Sequence, residues 1–324
     1  MCSSMSAWRC KLHSLRRLRR TAWSCNQVAA LLLLIPAICL ITPAWAAPRV
    51  VTLTPHATEM VFAAGGGDMI VATVNASDFP EQARHIPRFG DGIHTSLEEI
   101  LRWEPDLIVS WPSLYTDRLQ QLGKQVLLSR PTSLDEIASD IERIGLQLGT
   151  LSHARETALA LREEIRSLSA LTDESQSTSS TRAPGRTSSR SSPTSATPAS
   201  IVTVVVLASA DGQVVMGADP LINQVIELCG GTNPFGSSQL ITPRASLEGI
   251  ISTHPALIVS GSTPAASIKA VAPVRLIDPD WMYRPGPRFV LAARQLCKAI
   301  ETARHETSKT DTRPDQSRDY SRHN

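Results

Sequence analysis

Ser96-Leu-Glu-Glu-Ile-Leu-Arg-Trp-Glu-Pro-Asp-Leu-Ile-Val-Ser110 and Ser246-Leu-Glu-Gly-Ile-Ile-Ser-Thr-His-Pro-Ala-Leu-Ile-Val-Ser260 agree at nine positions, at a constant offset of 150 residues. Each reads as one helix followed by one strand. A serine caps the helix by accepting from its free amides. Glu98 and Glu248 fall in the first turn, where the positive end of the helix dipole favours an anion. Pro105 and Pro255 stop the helix, and Leu-Ile-Val is the pattern of a strand buried on both faces. Capping chemistry explains much of this composition. It does not explain why the unit recurs once in each half, which points to two related lobes and a pseudo-twofold molecule.

The pattern extends outward from these units. Strands are expected at Arg49–Thr54, Met69–Val74, Asp106–Ser110 and Gln125–Leu128, with helices at Thr58–Ala64, Leu97–Trp103 and Thr116–Leu122 between them. Pro55 and His56 are read as a turn, and Gly65-Gly66-Gly67 as a helix terminator. Strands alternating with helices imply βαβ units and a mainly parallel sheet. Apolar residues then recur at spacings of three and four from Leu134 to Leu168, interrupted by Gly145 and Gly149, which gives two helices. The second half repeats the alternation. Strands are read at Ile201–Leu207, Ala256–Ser260 and Val274–Ile277, and helices at Leu221–Leu228, Ser246–Ile251 and Arg288–Ala299.

These readings divide the chain. Residues 1–46 read as a cleaved leader, 47–151 as the first lobe and 152–171 as a linking helix. Residues 172–200 form a disordered insert rich in Ser, Thr, Pro and Arg, 201–300 the second lobe and 301–324 a disordered polar tail. The insert carries too little apolar surface to offset its ordering entropy. The fold class expected is α/β: two three-layer lobes with mainly parallel sheets, joined by one long rigid helix.

The leader has six basic residues, Arg9 to Arg20, and no acidic one. An apolar run, Val28 to Ile41, follows, and Ala44-Trp45-Ala46 fits a small-x-small cleavage site. The run is shorter than the roughly 20 residues a membrane span needs. Export to the periplasm is therefore expected, with cleavage near Ala46. Of the 32 basic and 30 acidic residues, removal of the leader leaves 26 and 30, a net charge of −4. The basic balance belongs to the leader, which removes the compositional case for a nucleic-acid partner. Cys229 and Cys297 alone remain after cleavage. An oxidising compartment favours one disulfide over two buried thiols.

Ala47-Pro-Arg-Val-Val-Thr-Leu-Thr-Pro-His-Ala-Thr-Glu59, Ser77-Asp-Phe-Pro80, Ser96-Leu-Glu98, Pro105-Asp-Leu-Ile-Val-Ser-Trp111, Leu228-Cys-Gly-Gly231, Asp280-Trp281 and Arg294-Gln-Leu-Cys297 together carry a likeness. The chain resembles the periplasmic solute-binding proteins that serve importers of cobalamin, haem and ferric siderophores, and within them the vitamin B12-binding proteins. The resemblance covers roughly residues 47–170 and 201–300. It implies no enzymatic activity and no cofactor, cobalamin being the transported ligand. It also implies an ABC permease dimer with its ATPase as partner, and a monomeric binding protein. Glu98 and Glu248 match glutamates that dock on permease arginines, and Cys229 and Cys297 match a disulfide pair. Trp111, Asp280 and Trp281 match positions lining a corrinoid cleft. Ala76, Gly92 and Thr242 depart from the aromatic residues the resemblance leads one to expect. Haem or a ferric siderophore is the alternative ligand.

The candidate ligand contacts are His56, Phe79, Trp111, Asp280, Trp281, Met282, Tyr283 and Arg284. The tryptophans offer flat faces for a macrocycle. Asp280 accepts from ligand amides, and Tyr283 or Arg284 donates. His56 follows the first strand, at the expected mouth of the sheet. His85, His94 and Asp280 have no metal-ligand spacing. There is no nucleophile elbow, phosphate-cradling glycine loop or HExxH motif, so an exported hydrolase is the remaining reading from another class.

Overall fold

The computed structural model describes residues 47–91, 95–177 and 201–311. The leader, His94 and most of the Ser/Thr-rich insert lie outside the described residues. From residue 47 on, the described residues form one compact unit.

Two four-stranded parallel sheets organise it. The first contains β1 (Val50–Thr52), β2 (Ile70–Thr73), β3 (Leu107–Ser110) and β4 (Val126–Leu128), in the order β2-β1-β3-β4. The second contains β5 (Val202–Leu207), β6 (Gly231–Thr232), β7 (Leu257–Ser260) and β8 (Val274–Leu276), in the order β6-β5-β7-β8. The orders are the same, strand for strand. Val50 and Val51 pair with Leu107 and Ile108, and Val204 and Val205 with Leu257 and Ile258. The sequence echo thus extends to a repeated sheet with the Leu-Ile-Val strand at an inner position.

The helices that concern the site are α1 (Pro55–Ala63), α2 (Leu97–Leu101), α3 (Leu114–Gln121), α4 (Leu134–Leu148), α5 (Leu151–Ser177), α6 (Pro220–Leu228), α7 (Leu247–Ser252), α8 (Ala266–Lys269), α9 (Pro279–Met282) and α10 (Phe289–Asp311). Pro55 begins α1 rather than turning the chain, because a first-turn proline loses no intrahelical bond. Gly149 ends α4 with φ of 75°, a conformation that costs glycine little. Gly145 remains helical and buried. A Cβ there would lie 2.3 Å from that of Ala154, so the glycine lets α4 and α5 pack closely.

The pleat divides the core. Val51, Ile108 and Ile100 pack on one face of the first sheet, and Val205, Ile258 and Ile250 on one face of the second. The other faces share a single continuous cluster. It runs from Val50, Leu107 and Ile141 through Ala158, Leu161 and Leu168 of α5 to Val204, Leu257 and Leu296. Helix α5 packs on α4 and on α10, and at 1.5 Å per residue its 27 residues span about 40 Å. Two parallel-sheet lobes are therefore joined by a long helix whose apolar stripe belongs to both.

Three boundaries differ from the sequence expectation. The linking helix extends to Ser177 instead of 171. Helix α10 continues to Asp311, where a polar tail was expected from 301. Leu296, Ile300 and Ala303 keep the helical apolar spacing and are buried, and Arg304 Nη2 donates to the Cys229 carbonyl at 2.7 Å. Asp280-Trp281, which falls between the strand read at Val274–Ile277 and the helix read at Arg288–Ala299, lies in a short helix of its own, α9, capped by Asp278, which accepts from the Asp280 amide at 2.8 Å.

Candidate functional site

The carboxyl ends of parallel strands leave a crevice where connecting loops collect side chains. Here those ends supply Trp111-Pro112 after β3 and Arg130-Pro131 after β4. They face Met216, the start of α6 and the 282–289 segment. A cavity of about 360 Å³ lies between the lobes, lined from the first by Trp111, Arg130 and Pro131 and from the second by Met216, Asp219, Ile241, Met282, Tyr283 and Phe289, among others. A second cavity of about 310 Å³ opens on the first lobe and shares Trp111 and Pro112 as its wall.

Trp111 is 37% exposed, although it follows a fully buried strand. Its ring rests on His56, with centroids 4.9 Å apart and planes tilted by 38°. His56 itself is not at an open mouth, as the sequence had suggested. It is 1% exposed, and both ring nitrogens are engaged within the chain. Nε2 lies 3.0 Å from the Ser129 carbonyl and so must donate, which leaves Nδ1 to accept from the Thr54 hydroxyl at 2.8 Å. Burial drives its pKa down to about 3, against the opposing pull of the Ser129 carbonyl. The neutral ring supports Trp111 and presents no nitrogen to a ligand.

The other predicted residues separate into two groups. Met282 and Tyr283 line the inter-lobe cavity. The Tyr283 hydroxyl donates to the Leu207 carbonyl at 2.6 Å, and burial pushes its pKa up to about 12. Asp280, Arg284 and Phe79 instead belong to an ionic cluster between the lobes. Arg284 reaches Asp280 and Asp78, each at 2.8 Å, and stands 3.6 Å from Glu59. Arg288 makes a bidentate pair with Glu59, at 2.9 and 2.6 Å, and its guanidinium lies 4.0 Å over the Phe79 ring. Burial pushes the Glu59 carboxyl upward, opposed by Arg288 and then Arg284. Trp281 is half-buried against the shared core and does not line the cavity.

Sequence reasoning missed Arg130, Met216, Asp219, Ile241, Glu59 and Arg288. Some signal was available. Arg130-Pro131 follows its strand just as Trp111-Pro112 does, and Asp219-Pro220 is a helix-start pair; Asp219 accepts from the Ile222 amide at 2.9 Å. Nothing local marked Glu59 as the partner of a residue 229 positions away.

Away from the cavity, the two echoed segments match in detail. Ser96 Oγ accepts from the Glu99 amide at 3.2 Å, and Ser246 Oγ from the Gly249 amide at 3.0 Å. Glu104 and His254, each just before the proline, have left-handed φ values of 48° and 47°. Glu98 and Glu248 are both exposed in the first turns of α2 and α7. Cys229 and Cys297 form a disulfide, with Cα atoms 5.0 Å apart. Among the described residues no cluster of three or more ligating side chains suits a metal ion, and no helix is long and apolar enough to cross a membrane.

Known proteins share this sequence pattern and this fold. Residues 50–272 match the family model described as periplasmic binding protein. The chain belongs to the periplasmic binding protein family. It is 32% identical over 292 residues to the vitamin B12-binding protein of Yersinia pseudotuberculosis serotype O:1b (strain IP 31758), covering 84% of this chain and 92% of that one. The same figures hold for the vitamin B12-binding protein of Yersinia pestis (strain Pestoides F). Among solved structures, the periplasmic vitamin B12 binding protein BtuF of Vibrio cholerae superposes with a TM-score of 0.65 at 25% identity, over 79% of this chain and 98% of that one. The periplasmic heme-binding protein RhuT from Roseiflexus sp. RS-1 shares the fold, with a TM-score of 0.61 at 20% identity, over 80% and 100%. As a periplasmic binding protein, the chain is the substrate-binding component of an ABC importer and not an enzyme.

Proposed function

We propose that this binding protein captures cobalamin or a related corrinoid between its lobes and hands it to the permease dimer of an ABC importer. The observation that carries the reading is Trp111, which stands open at the cavity wall with its ring held by His56. A fixed indole face suits a flat macrocycle, and the apolar wall around it suits the rim of one. The likeness to vitamin B12-binding proteins points the same way. The cavity lies at the low end of the roughly 300–1,000 Å³ usual for small-molecule sites. A corrinoid would therefore seat one edge there and extend over the mouth. Haem fits less well. Among the described lining residues there is no histidine to ligate iron, and the Tyr283 hydroxyl is engaged by Leu207.

In this reading residues 47–151 and 201–300 act as the two lobes and the central helix as their hinge. The leader is removed near Ala46 on export, the chain works as a monomer, and Glu98 and Glu248 meet basic residues of the permease, one per lobe. Incubation with cyanocobalamin, haem or a ferric siderophore, followed by desalting, is expected to leave a coloured complex with cyanocobalamin. Co-elution of one of the others in its place would overturn the assignment.

A further inference from the structure

Four polar side chains that line the inter-lobe cavity differ in what already engages them. Thr132 donates its hydroxyl to Glu136 at 2.8 Å, Asp219 caps α6, and Tyr283 donates to the Leu207 carbonyl. Arg130 is exposed on the cavity wall, and among the described residues no hydrogen bond or ion pair engages its guanidinium. The neighbouring arginines of the lobe interface, Arg284 and Arg288, are held by Glu59, Asp78 and Asp280. Arg130 is thus the one cationic side chain among the described lining residues.

The backbone adds to its field. Arg130 and Thr132 lead into the amino end of α4, Asp219 and Pro220 begin α6, and Phe289 begins α10. Three helices of this length present their positive ends toward one cavity, an arrangement that favours anionic oxygen. Asp219 offsets part of this. Burial pushes its carboxyl up, while the amides of Ile222 and Leu221 and the charge of Arg130 pull it down. Its oxygen is committed to the helix amide, so the strongest donor left open to a ligand is the Arg130 fork.

We infer that Arg130 reads an anionic oxygen group, phosphate or carboxylate, on the periphery of the ligand, and so sets specificity within the cleft. The inference rests on the corrinoid reading for its first form. A complete corrinoid carries a phosphodiester in its nucleotide loop, and a corrinoid lacking that loop does not. Arg130 therefore selects the complete molecule, while Trp111 accepts the ring of either.

The test compares cyanocobalamin with dicyanocobinamide, which keeps the ring and lacks the phosphate, on the full chain and on Arg130→Gln. Loss of a charge-assisted bond predicts that the variant binds cyanocobalamin about ten- to a hundredfold more weakly. Cobinamide affinity should change by less than about twofold. Because Arg130 is exposed, the melting temperature should not move. Equal weakening for both corrinoids, or none for cyanocobalamin, overturns the role. If the unaltered chain binds neither corrinoid, the corrinoid reading fails by itself. Haem and its dimethyl ester then replace the pair. Weakening of haem with sparing of the ester keeps the role of Arg130, and any other pattern, including no uptake, overturns it.

Discussion

The Glu59–Arg288 pair is the clearest place to perturb the contact between the lobes. Glu59 belongs to α1 and Arg288 stands just before α10, and their side chains are 2% and 14% exposed. Removing one partner of a buried pair leaves an uncompensated charge and costs about 3–5 kcal/mol. Glu59→Met should sit in the middle of that range, about 4 kcal/mol, because Arg288 cannot shed its proton. Arg288→Met should cost less, about 2–3 kcal/mol, because Arg284 still lies 3.6 Å from Glu59. Replacing both by methionine removes the desolvation penalty with the attraction and should leave stability within about 1 kcal/mol of the original. Urea unfolding at pH 7 measures all three. With a slope of about 3 kcal/mol/M, the Glu59→Met midpoint falls by more than about 1 M. The pH dependence separates the single variants. Without Arg288, burial holds the folded pKa of Glu59 above its unfolded value. The protonated form is then favoured, so stability is full below the unfolded pKa of about 4.3 and falls as pH rises through the folded value. The Arg288→Met loss should therefore shrink at pH 5, while the Glu59→Met loss persists. Single losses below about 1 kcal/mol, or a double loss equal to their sum, would refute a buried, coupled pair.

Other outcomes follow from single features. His56 is neutral and has a depressed folded pKa of about 3, so its contribution is full above the unfolded pKa of about 6.5 and is lost as pH falls toward 3. His56→Gln should remove a slope of up to about 1.4 kcal/mol per pH unit in that window, and an unchanged slope would show that the ring is not buried neutral. The Cys229–Cys297 bridge closes a separation of 68 residues, which corresponds to about 4 kcal/mol in the chain-entropy treatment. The double serine variant should lose more than about 1 M in urea midpoint, and no loss would indicate that the bridge does not form in the exported protein. Glu98→Lys with Glu248→Lys should abolish uptake in cells while ligand affinity stays unchanged; normal uptake would remove the docking role.

Patterns confined to a few residues carried most of the architecture. Val-Val-Thr and Leu-Ile-Val-Ser could be read as strands because a strand buried on both faces is apolar throughout, and the chain contains that signature in both halves. Serine and proline at fixed offsets located α2 and α7, since caps and stops act over one turn. The disulfide was also legible, because only two of the six cysteines lie beyond the segment read as a leader. Helix ends were less so. Pro55 suits either a turn or a first helical turn, and the polar residues beyond Ala299 hid the buried Ile300 and Ala303.

The site divides along the same line. Trp111 could be placed at a strand end from sequence, because parallel strands collect binding residues there. Whether His56 faced solvent depended on Ser129, 73 residues away, and the state of Arg284 depended on Asp78, 206 away. Local pattern determines which segments become strands and helices, since it reports hydrogen bonding and burial over one or two turns. Which side chains remain open to a ligand is decided only when distant segments pack. Among the described lining residues the cation without an ion pair is Arg130, and the arginines nearest the predicted motif are held by Glu59 and Asp78 of the opposite lobe.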